Sequence, residues 1–382
     1  MKKAVILLTT MSLLLVGCSS SGDSADTSAT DDSSSETTET TDTAETEEPA
    51  EEGASIADRA AELIKTRNIR VVIGSTSTGG DTYAMSAAVA KELENVLGKN
   101  VKVDPTGTAG AYEAISQSSD GSTIMIFHDG AYFGKLFEVD GYPDIFTDEI
   151  TIGPTLGFNP GNAYTVSKDY KYNSVQEVID AVVGGETVRF AIQPGSASEI
   201  GYHAMRYNIK EAGGDPELLV AVPSGAQSDK NEKLFQDLAD IIHSSVQAAA
   251  QFTALEEDDQ QAQKFLWITA DSEILSETNE EGYEGVTRDD MLEYAYPNVV
   301  LKTPSGEDFT YSKTFFTMYN GDMSQEIVDL YDDAMAEVFA NEAFIEDLKN
   351  QFFVPYYNPS SEAEVILEDL NTQYGELINS MK

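Results

Sequence analysis

Short apolar runs alternate along this chain with longer stretches in which apolar residues recur every three or four positions. The runs IRVVI, TIMIF and FLWIT are typical of buried strands, whereas the periodic stretches predict amphipathic helices. The clearest helix has Met85, Val89 and Leu93 on one face and is expected to end at Gly98. This alternation of strands and helices predicts an α/β fold.

The same patterns predict the remaining elements. Strands are expected at residues 69–73, 101–103, 123–127, 188–192, 218–222, 241–242 and 265–269. Helices are expected at residues 111–118, 174–183, 198–212, 229–238, 246–252, 324–339, 342–351 and 362–380. Because residues 56–382 exceed the size of one ordinary hydrophobic core, we expect them to form two lobes.

The first residues have the pattern of a lipoprotein signal. Lys2 and Lys3 precede an apolar run at residues 4–16 that is too short to span a bilayer. Small residues then lead to Cys18, which is the single cysteine of the sequence. We therefore predict a signal peptide at residues 1–17, a lipid on Cys18, and no disulfide. The alternative is an ordinary signal peptide with an incidental cysteine.

A strongly acidic stretch follows the predicted lipid site. Residues 19–55 contain twelve acidic side chains, neither lysine nor arginine, and almost nothing apolar. Such a composition cannot form a core, so residues 18–55 are predicted to be a disordered linker between lipid and folded domain. An acidic interaction tail is the alternative interpretation. The net charge of −44 argues against nucleic acid or an anionic membrane surface as a partner.

Four glycine- and hydroxyl-rich loops follow predicted strands and open predicted helices. They are residues 74–82, 105–110, 193–199 and 223–227. Backbone N–H groups and helix dipoles at such loops favour anions, so the pattern predicts a cleft that holds an anion without any arginine or lysine. In the first loop Gly80-Asp81 stands where a P-loop has Lys-Ser/Thr, which disfavours a nucleotide. Plain strand-to-helix turns, or a capping box of Ser196 with Glu199, remain alternatives.

Catalytic and metal-binding patterns are poor. The three histidines fall in no zinc-binding pattern, and no Gly-x-Ser-x-Gly sequence occurs. His203 lies in a predicted helix and is expected to be packed or on the surface. His243 ends a short predicted strand, and its position is equally consistent with lining the pocket and with lying outside it. We therefore predict no catalytic residue, no metal and no cofactor.

The order of these segments resembles one family, the substrate-binding components of tripartite tricarboxylate transporters. The resemblance covers roughly residues 69–378. It is carried by the segments IRVVIGSTSTGGDTYAMSAAVAKELENVLGKNVKV, PTGTAGAYEAISQSSDGSTIMIF, FAIQPGSASEIGYHAM, VAVPSGAQ, ADIIHSS, KFLWITADS and MSQEIVDLYDDAMAEVFANEAFIEDLKNQF. The chain departs from the family in a Ser/Thr-rich first loop, in a Val-Pro loop that is one residue short, in Glu199 for a frequent His, and in Ser244 for a frequent Asp.

The resemblance implies a two-lobe periplasmic-binding-protein fold. Lobe 1 would comprise residues 56–163 and 269–382, lobe 2 residues 164–268, with hinges near residues 160 and 268. It also implies that backbone amides, hydroxyls and water hold a carboxylate. The implied ligand-binding residues, with His243 added from its position, are Ser75, Thr76, Ser77, Thr78, Gly79, Gly80, Asp81, Gly195, Ser196, Ala197, Ser198, Ser224, Gly225, Ala226, His243 and Ser244.

The resulting expectation is a monomeric, lipid-anchored, extracytoplasmic protein. It would capture a small di- or tricarboxylate between its lobes and deliver it to the membrane permease of a tripartite transporter. The alternatives are a binding protein of another transporter class for a neutral or cationic solute, and a surface hydrolase that uses His243 with Ser244 and Ser245. A sensor or adhesin with the same fold is a further alternative.

Overall fold

The computed structural model describes residues 54–140 and 142–381. Its strands are β1 (Asn68–Ile73), β2 (Asn100–Asp104), β3 (Thr123–His128), β4 (Ile150–Asn159), β5 (Asn162–Ser167), β6 (Val188–Ile192), β7 (Leu219–Pro223), β8 (Ile241–Ser245), β9 (Gln263–Ile268), β10 (Lys313–Asn320) and β11 (Val354–Asn358). Its helices are α1 (Ile56–Leu63), α2 (Asp81–Leu97), α3 (Gly107–Ser116), α4 (Gly130–Leu136), α5 (Val175–Val183), α6 (Ala197–Glu211), α7 (Gln227–Phe235), α8 (Val246–Thr253), α9 (Ser272–Ser276), α10 (Arg288–Leu292), α11 (Gln325–Phe339), α12 (Glu342–Asn350) and α13 (Ser360–Met381).

The first sheet has the strand order β11-β4-β10-β3-β1-β2. β1 pairs in parallel with β2 and β3, whereas β10 is antiparallel to β3, with Phe315 opposite His128. Carboxyl ends of parallel strands meet at one edge of a sheet, and the amino end of an antiparallel strand joins them there. The loops after β1, β2 and β3 therefore lie beside Lys313, the first residue of β10.

The second sheet has the order β7-β6-β8-β5-β9. β6 is parallel to β7 and β8, and β5 is antiparallel to β8 and β9. The loops after β6 and β7, and the start of α8 after β8, consequently share one edge of this sheet. Two sheets flanked by helices confirm the predicted α/β class.

The chain passes from the first sheet to the second between β4 and β5 and leaves the second sheet after β9. Gly161 in the first crossing has φ +85°, and a β-carbon there would lie 2.5 Å from the backbone nitrogen of Ala270 in the second crossing. Thr269 Oγ1 accepts a hydrogen bond from Asn162 N at 2.8 Å and donates one to Tyr311 O at 2.9 Å. The two crossings therefore lie side by side.

Apolar side chains fill both faces of the sheets. One cluster joins β1, α2 and α11, and a larger one runs from the other face of the first sheet to Trp267 and Phe190 in the second. Full burial of one large apolar side chain stabilises the fold by about 2 kcal/mol. The segment after β9 packs on the second sheet, because Leu275 and Met291 share a cluster with Phe265. The predicted boundaries of the two lobes stay a prediction.

Most predicted elements are confirmed, with shifted ends. β1, β3 and β6 follow the apolar runs, and α2 ends at Gly98, which has φ +61°. Helix α2 begins at Asp81, however, and α3 begins at Gly107, earlier than the apolar pattern predicts. The elements α1, α4, α9, α10, β4, β5, β10 and β11 were not predicted.

The signal peptide at residues 1–17, the lipid on Cys18 and residues 18–53 of the linker lie outside the described residues. Ser55, which was assigned to the end of the linker, caps α1, since its Oγ accepts a hydrogen bond from Asp58 N at 3.2 Å. Between Ala54 and Met381, apart from the undescribed residue 141, no helix has the length and apolarity to span a membrane.

Candidate functional site: a cleft between the two sheets

A cavity of about 300 Å³ lies where the loop-bearing edges of the two sheets meet. This volume is at the lower end of the range for small-molecule sites, about 300–1,000 Å³. Among the described residues, six helices contribute their first turns to its wall: α2, α3 and α4 after strands of the first sheet, and α6, α7 and α8 after strands of the second. The predicted convergence of helix N-termini on a common cleft is therefore present.

Ten of the sixteen predicted ligand-binding residues line this cavity. They are Ser75, Thr76, Ser77, Gly80, Asp81, Gly195, Ser196, Ala197, Ala226 and His243. The cavity also contains Gly107 and Thr108 from the third loop. Their contact with a ligand stays a prediction.

The other six predicted residues do not line the cavity. Thr78 and Gly79 face a second cavity of about 460 Å³ beside the first turn of α2. Ser198 Oγ accepts from Gln193 N at 2.9 Å, and Ser244 Oγ accepts from Gln227 Nε2 at 3.0 Å. Ser224 Oγ donates to Val222 O, and Gly225 N donates to Asp229 Oδ2. These last four hold the loops in shape.

Serine hydroxyls of the first loop form hydrogen bonds with the backbone of the same loop. Ser75 Oγ accepts from Ser77 N at 3.1 Å, and Ser77 Oγ accepts from Gly79 N at 3.2 Å. Gly80 is the N-cap of α2 and supplies no side chain to cap it. The seventeen-residue helix behind it adds the positive end of its dipole, which favours a negatively charged ligand at this loop.

The loop before α6 approaches the first sheet closely. Gly195 has φ +72°, and a β-carbon there would lie 2.9 Å from Val139 Cγ2. Ser196 Oγ accepts from Ser198 N at 3.2 Å, while Glu199 Oε2 accepts from Gly195 N at 2.9 Å. Ser196 and Glu199 thus cap α6, although Glu199 reaches the residue before the N-cap and does not form the reciprocal box.

Two buried lysines enter the cavity, Lys313 from the start of β10 and Lys230 from α7. Lys313 is 5% exposed, and its Nζ lies 2.5 Å from Asp81 Oδ2, which also accepts from Asn159 Nδ2 at 2.9 Å. Burial alone would raise the pKa of Asp81, but the Lys313 charge and hydrogen bond hold that pKa below its ordinary value. Asp81 is therefore ionised and neutralises Lys313.

Lys230, on α7, is 4% exposed, and its Nζ lies 2.9 Å from His243 Nδ1. Burial, followed by the charge of Lys313, lowers the pKa of Lys230 to about 7. Burial and the neighbouring Lys230 also lower the pKa of His243 well below its ordinary value. His243 is consequently neutral, and Lys230 is the titrating member of the pair near pH 7.

His128 is another polar residue that lines the cavity. Its Nδ1 accepts a hydrogen bond from Gly130 N at 2.9 Å, so the neutral ring carries its proton on Nε2. Burial and the charge of Lys313 lower the pKa of His128 to about 3. Next to it, the carboxylate of Asp129 is fully buried and accepts from Tyr132, Tyr311 and Thr314 N. Asp129 thereby fixes α4 to β10.

The lysines are the main difference from the sequence-based expectation, which placed no cation in the cleft. Lys230 lies in a polar helix, and Lys313 stands just before the apolar run TFF, at the start of an unpredicted strand. The only signal in the sequence is position: Lys313 borders an apolar run, and Lys230 lies close to a glycine-containing loop. His128, Tyr142, Gln193 and Gln227 also line the cavity without having been predicted.

The site lacks the arrangement of a hydrolase or a metal centre. Among the described residues, His243 makes no hydrogen bond to Ser244 or Ser245, and Ser245 Oγ instead caps α8 by accepting from Ala248 N. Over residues 54–140 and 142–381, no group of three or more His, Cys, Asp or Glu could hold a metal ion.

The sequence matches no family model and no curated protein, so the comparison depends on solved structures. Rpa4515 of R. palustris, solved with adipate, is 14% identical with a TM-score of 0.65, over 82% of this chain and 97% of that one. MatC from Rhodopseudomonas palustris, with bound malate, is 16% identical with a TM-score of 0.58, over 82% and 99%. A TctC solute binding protein from Polaromonas is 17% identical with a TM-score of 0.52, over 82% and 98%.

The chain has the fold of a TctC-type solute-binding protein. The alignments span nearly the whole of those proteins. The resemblance that the segment order indicated is therefore confirmed at the level of the fold. At these identities the comparison establishes architecture, and the ligand has to be argued from the chain's own cleft.

Proposed function

We propose that this protein is an extracytoplasmic solute-binding protein that captures a small dicarboxylate or tricarboxylate in the cleft between its two sheets. The observation that carries the proposal is the meeting of helix N-termini and two buried lysines, one on β10 and one on α7, at a single cavity. Both features favour a negatively charged ligand. Solved proteins of the same fold bind adipate and malate, which supports this ligand class.

The charge of the cavity argues against the cationic alternative. Of the side chains that line it, Asp81 is the acidic one, and its carboxylate is already paired with Lys313. The second ammonium, on Lys230, lies opposite a neutral histidine. A cationic solute would bring a third positive charge into a buried site, where like charges cost several kcal/mol.

Ligand capture would involve movement of the lobes about the crossings at residues 160–162 and 268–270. Each sheet supplies part of the cavity wall, so a ligand that contacts both favours the closed arrangement over an open one. The two crossings lie side by side at this point, because a β-carbon on Gly161 would lie 2.5 Å from Ala270 N.

Delivery to a membrane permease, with the protein attached through a lipid on Cys18, completes the proposal. Its support is the order of Lys2, Lys3, an apolar run and Cys18, followed by an acidic segment. We further propose that the protein is not an enzyme, since the cleft has no paired nucleophile and base among its described side chains.

Isothermal titration of residues 54–382 against an acid panel tests the ligand class. We expect binding of at least one of succinate, malate, adipate and citrate, and no binding of putrescine, spermidine or glucose. Native mass spectrometry of the freshly purified protein provides a second readout, because a retained acid adds its mass to the chain. Binding of a polyamine or sugar with no acid bound would contradict the proposal.

A further inference from the structure

We infer that Lys230, on the helix α7, is the specificity-determining cation of the cleft, that its counter-ion is a carboxylate of the ligand, and that the protein takes up a proton as this carboxylate binds. The inference depends on the proposed function and sharpens it. It names the side chain that recognises the acid and a proton stoichiometry that the fold by itself does not require.

The first step is the geometry of Lys230. Its side chain runs from α7 into the cavity, and its single hydrogen bond among the described residues is the one to His243 Nδ1 at 2.9 Å. An ammonium has three N–H donors, so two are left for a ligand. His243 Nε2 is also buried and has no partner in the described structure. A ligand with several acceptor oxygens would satisfy such donors.

The second step is the missing counter-ion. Within the described part of the chain, no carboxylate lies within 4.0 Å of Lys230 Nζ, whereas Lys313 has Asp81. Asp229, the acid beside Lys230 in sequence, is paired with Lys233 on the outer side of α7. A buried ammonium without a counter-ion is costly, and the protein reduces that cost by letting it lose its proton.

The surroundings of Lys230 determine which group takes up the proton. On α7 itself, Asp229 has a lowered pKa and stays ionised beside Lys233. From β8 and β3, His243 and His128 have lowered pKa values and stay neutral. From β5, burial raises the pKa of Tyr164, so its phenol also stays neutral.

Two further charged residues lie around the same cavity. Glu199 of α6 accepts a hydrogen bond from Gly195 N, and Asp81 with a lowered pKa neutralises Lys313. Of the groups named here, Lys230 is the one whose pKa, lowered to about 7, places its change of charge between pH 6 and 8.

The direction of the pH effect follows from linkage. The pKa of Lys230 in the free protein is about 7, and a bound carboxylate raises it. Below pH 6 the ammonium is already charged, and affinity for the acid is independent of this group. Above pH 7 each bound acid must bring in a proton, so affinity falls by up to about tenfold per pH unit.

The experiment uses malate as the probe and isothermal titration at pH 6 and pH 8, each in two buffers of different ionisation enthalpy. For the wild-type protein we expect nearly one proton taken up per malate at pH 8 and little at pH 6. For Lys230→Met we expect affinity at pH 6 to fall about 10- to 100-fold and the proton uptake to disappear.

Two controls separate this role from a structural one. Lys233→Met removes a lysine from the same helix that is already paired with Asp229, and it should change malate affinity less than about twofold. Lys230→Arg keeps a permanent charge, so it should abolish proton uptake at pH 8 while binding persists. If either Lys230 variant fails to fold, ¹³C-lysine NMR of the wild type still reports a Cε signal that titrates near pH 7 and shifts upward with malate.

The outcomes are distinct. Malate binding without proton uptake at pH 8, together with unchanged affinity in Lys230→Met, overturns the inference and leaves the proposed function standing. An NMR titration in which no lysine changes protonation between pH 6 and 9 also overturns it. A wild-type protein that binds none of the acids in the panel overturns both.

Discussion

At the scale of single residues, Asp81 has a structural partner as well as a place in the cavity wall. It was predicted as a ligand contact, and it does line the cavity, but its Oδ2 is engaged by Lys313 and Asn159. Asn159 Nδ2 also donates to Gln247 Oε1 at 2.8 Å, and Gln247 donates to Phe352 O. Asp81 therefore belongs to a buried polar network that joins α2, the first crossing and α8.

A double-mutant cycle measures this ion pair. We expect Asp81→Asn to lower the free energy of unfolding by about 3–5 kcal/mol, because Lys313 is left charged and buried. The Asp81→Asn/Lys313→Met double variant should recover a large part of that loss. Urea denaturation at pH 7 gives the free energies. Because the pKa of Asp81 is lowered in the folded state, its contribution is present at neutral pH and is lost as pH falls below the ordinary value of 3.8.

The matched control is the exposed pair of Arg70 and Asp104 on β1 and β2, whose side chains are about half exposed. The same cycle there should give a coupling of about 0–1 kcal/mol. Equal coupling energies at the two pairs would show that burial does not strengthen the interaction between Asp81 and Lys313.

At the scale of secondary-structure elements, the sequence predicts those whose burial is local. The runs at β1, β3 and β6 are apolar and short, and the helices α2 and α11 have one apolar face, so periodicity identifies them. β4 was missed because ITIGPTLGFN contains two glycines and a proline, which are typical of a turn. Its place between β10 and β11 depends on pairing across more than 150 residues.

The same reasoning explains which part of the site could be predicted. The loops at 74–82 and 193–199 are local strand-to-helix turns, so glycine and hydroxyl content indicates them. Lys313 enters the cleft only because β10 lies antiparallel to β3, and Lys230 is buried only because α7 packs on β8. Both contacts depend on pairing between distant segments, so local sequence patterns do not predict that the two cations enter the cleft.

The first crossing allows a prediction at this scale. Gly161→Ala should lower the free energy of unfolding by more than about 2 kcal/mol, because an alanine there has an unfavourable φ and also contacts Ala270 N. Gly185→Ala is the matched control, since Gly185 has φ +95° with no atom within 4 Å of the added β-carbon. Thermal or urea unfolding of both variants gives the comparison. Equal losses would mean that backbone strain alone, without the contact between the crossings, explains the effect.

At the scale of the whole molecule, the candidate site depends on both sheets, because loops at one edge of each sheet line the same cavity. Gly195, in the loop after β6, approaches Val139, in the segment after α4, and Phe137 stacks on His203 with ring centroids 5.7 Å apart. These contacts join the segment after α4 to the loop and helix that follow β6. A ligand held by both sheets should therefore stabilise loops that are far apart in the sequence.

Hydrogen–deuterium exchange tests this expectation. Saturating malate should slow exchange in peptides covering residues 75–82 and 193–199 together, because each loop supplies part of the cavity. Peptides from α12, which lies away from the cavity, should exchange at an unchanged rate. Protection confined to one of the two loops would mean that the acid binds one sheet and does not bridge them.

The contrast between the cavity and the rest of the chain has a kinetic consequence. A molecule with a net charge of −44 repels an approaching anion at distances too long for the two buried lysines to attract it. Dissolved ions screen that repulsion beyond about 10 Å at 0.1 M, but they reach the closed interior far less. Added salt should therefore raise the association rate constant for an acid, so this protein would bind its ligand faster in brine than in fresh water.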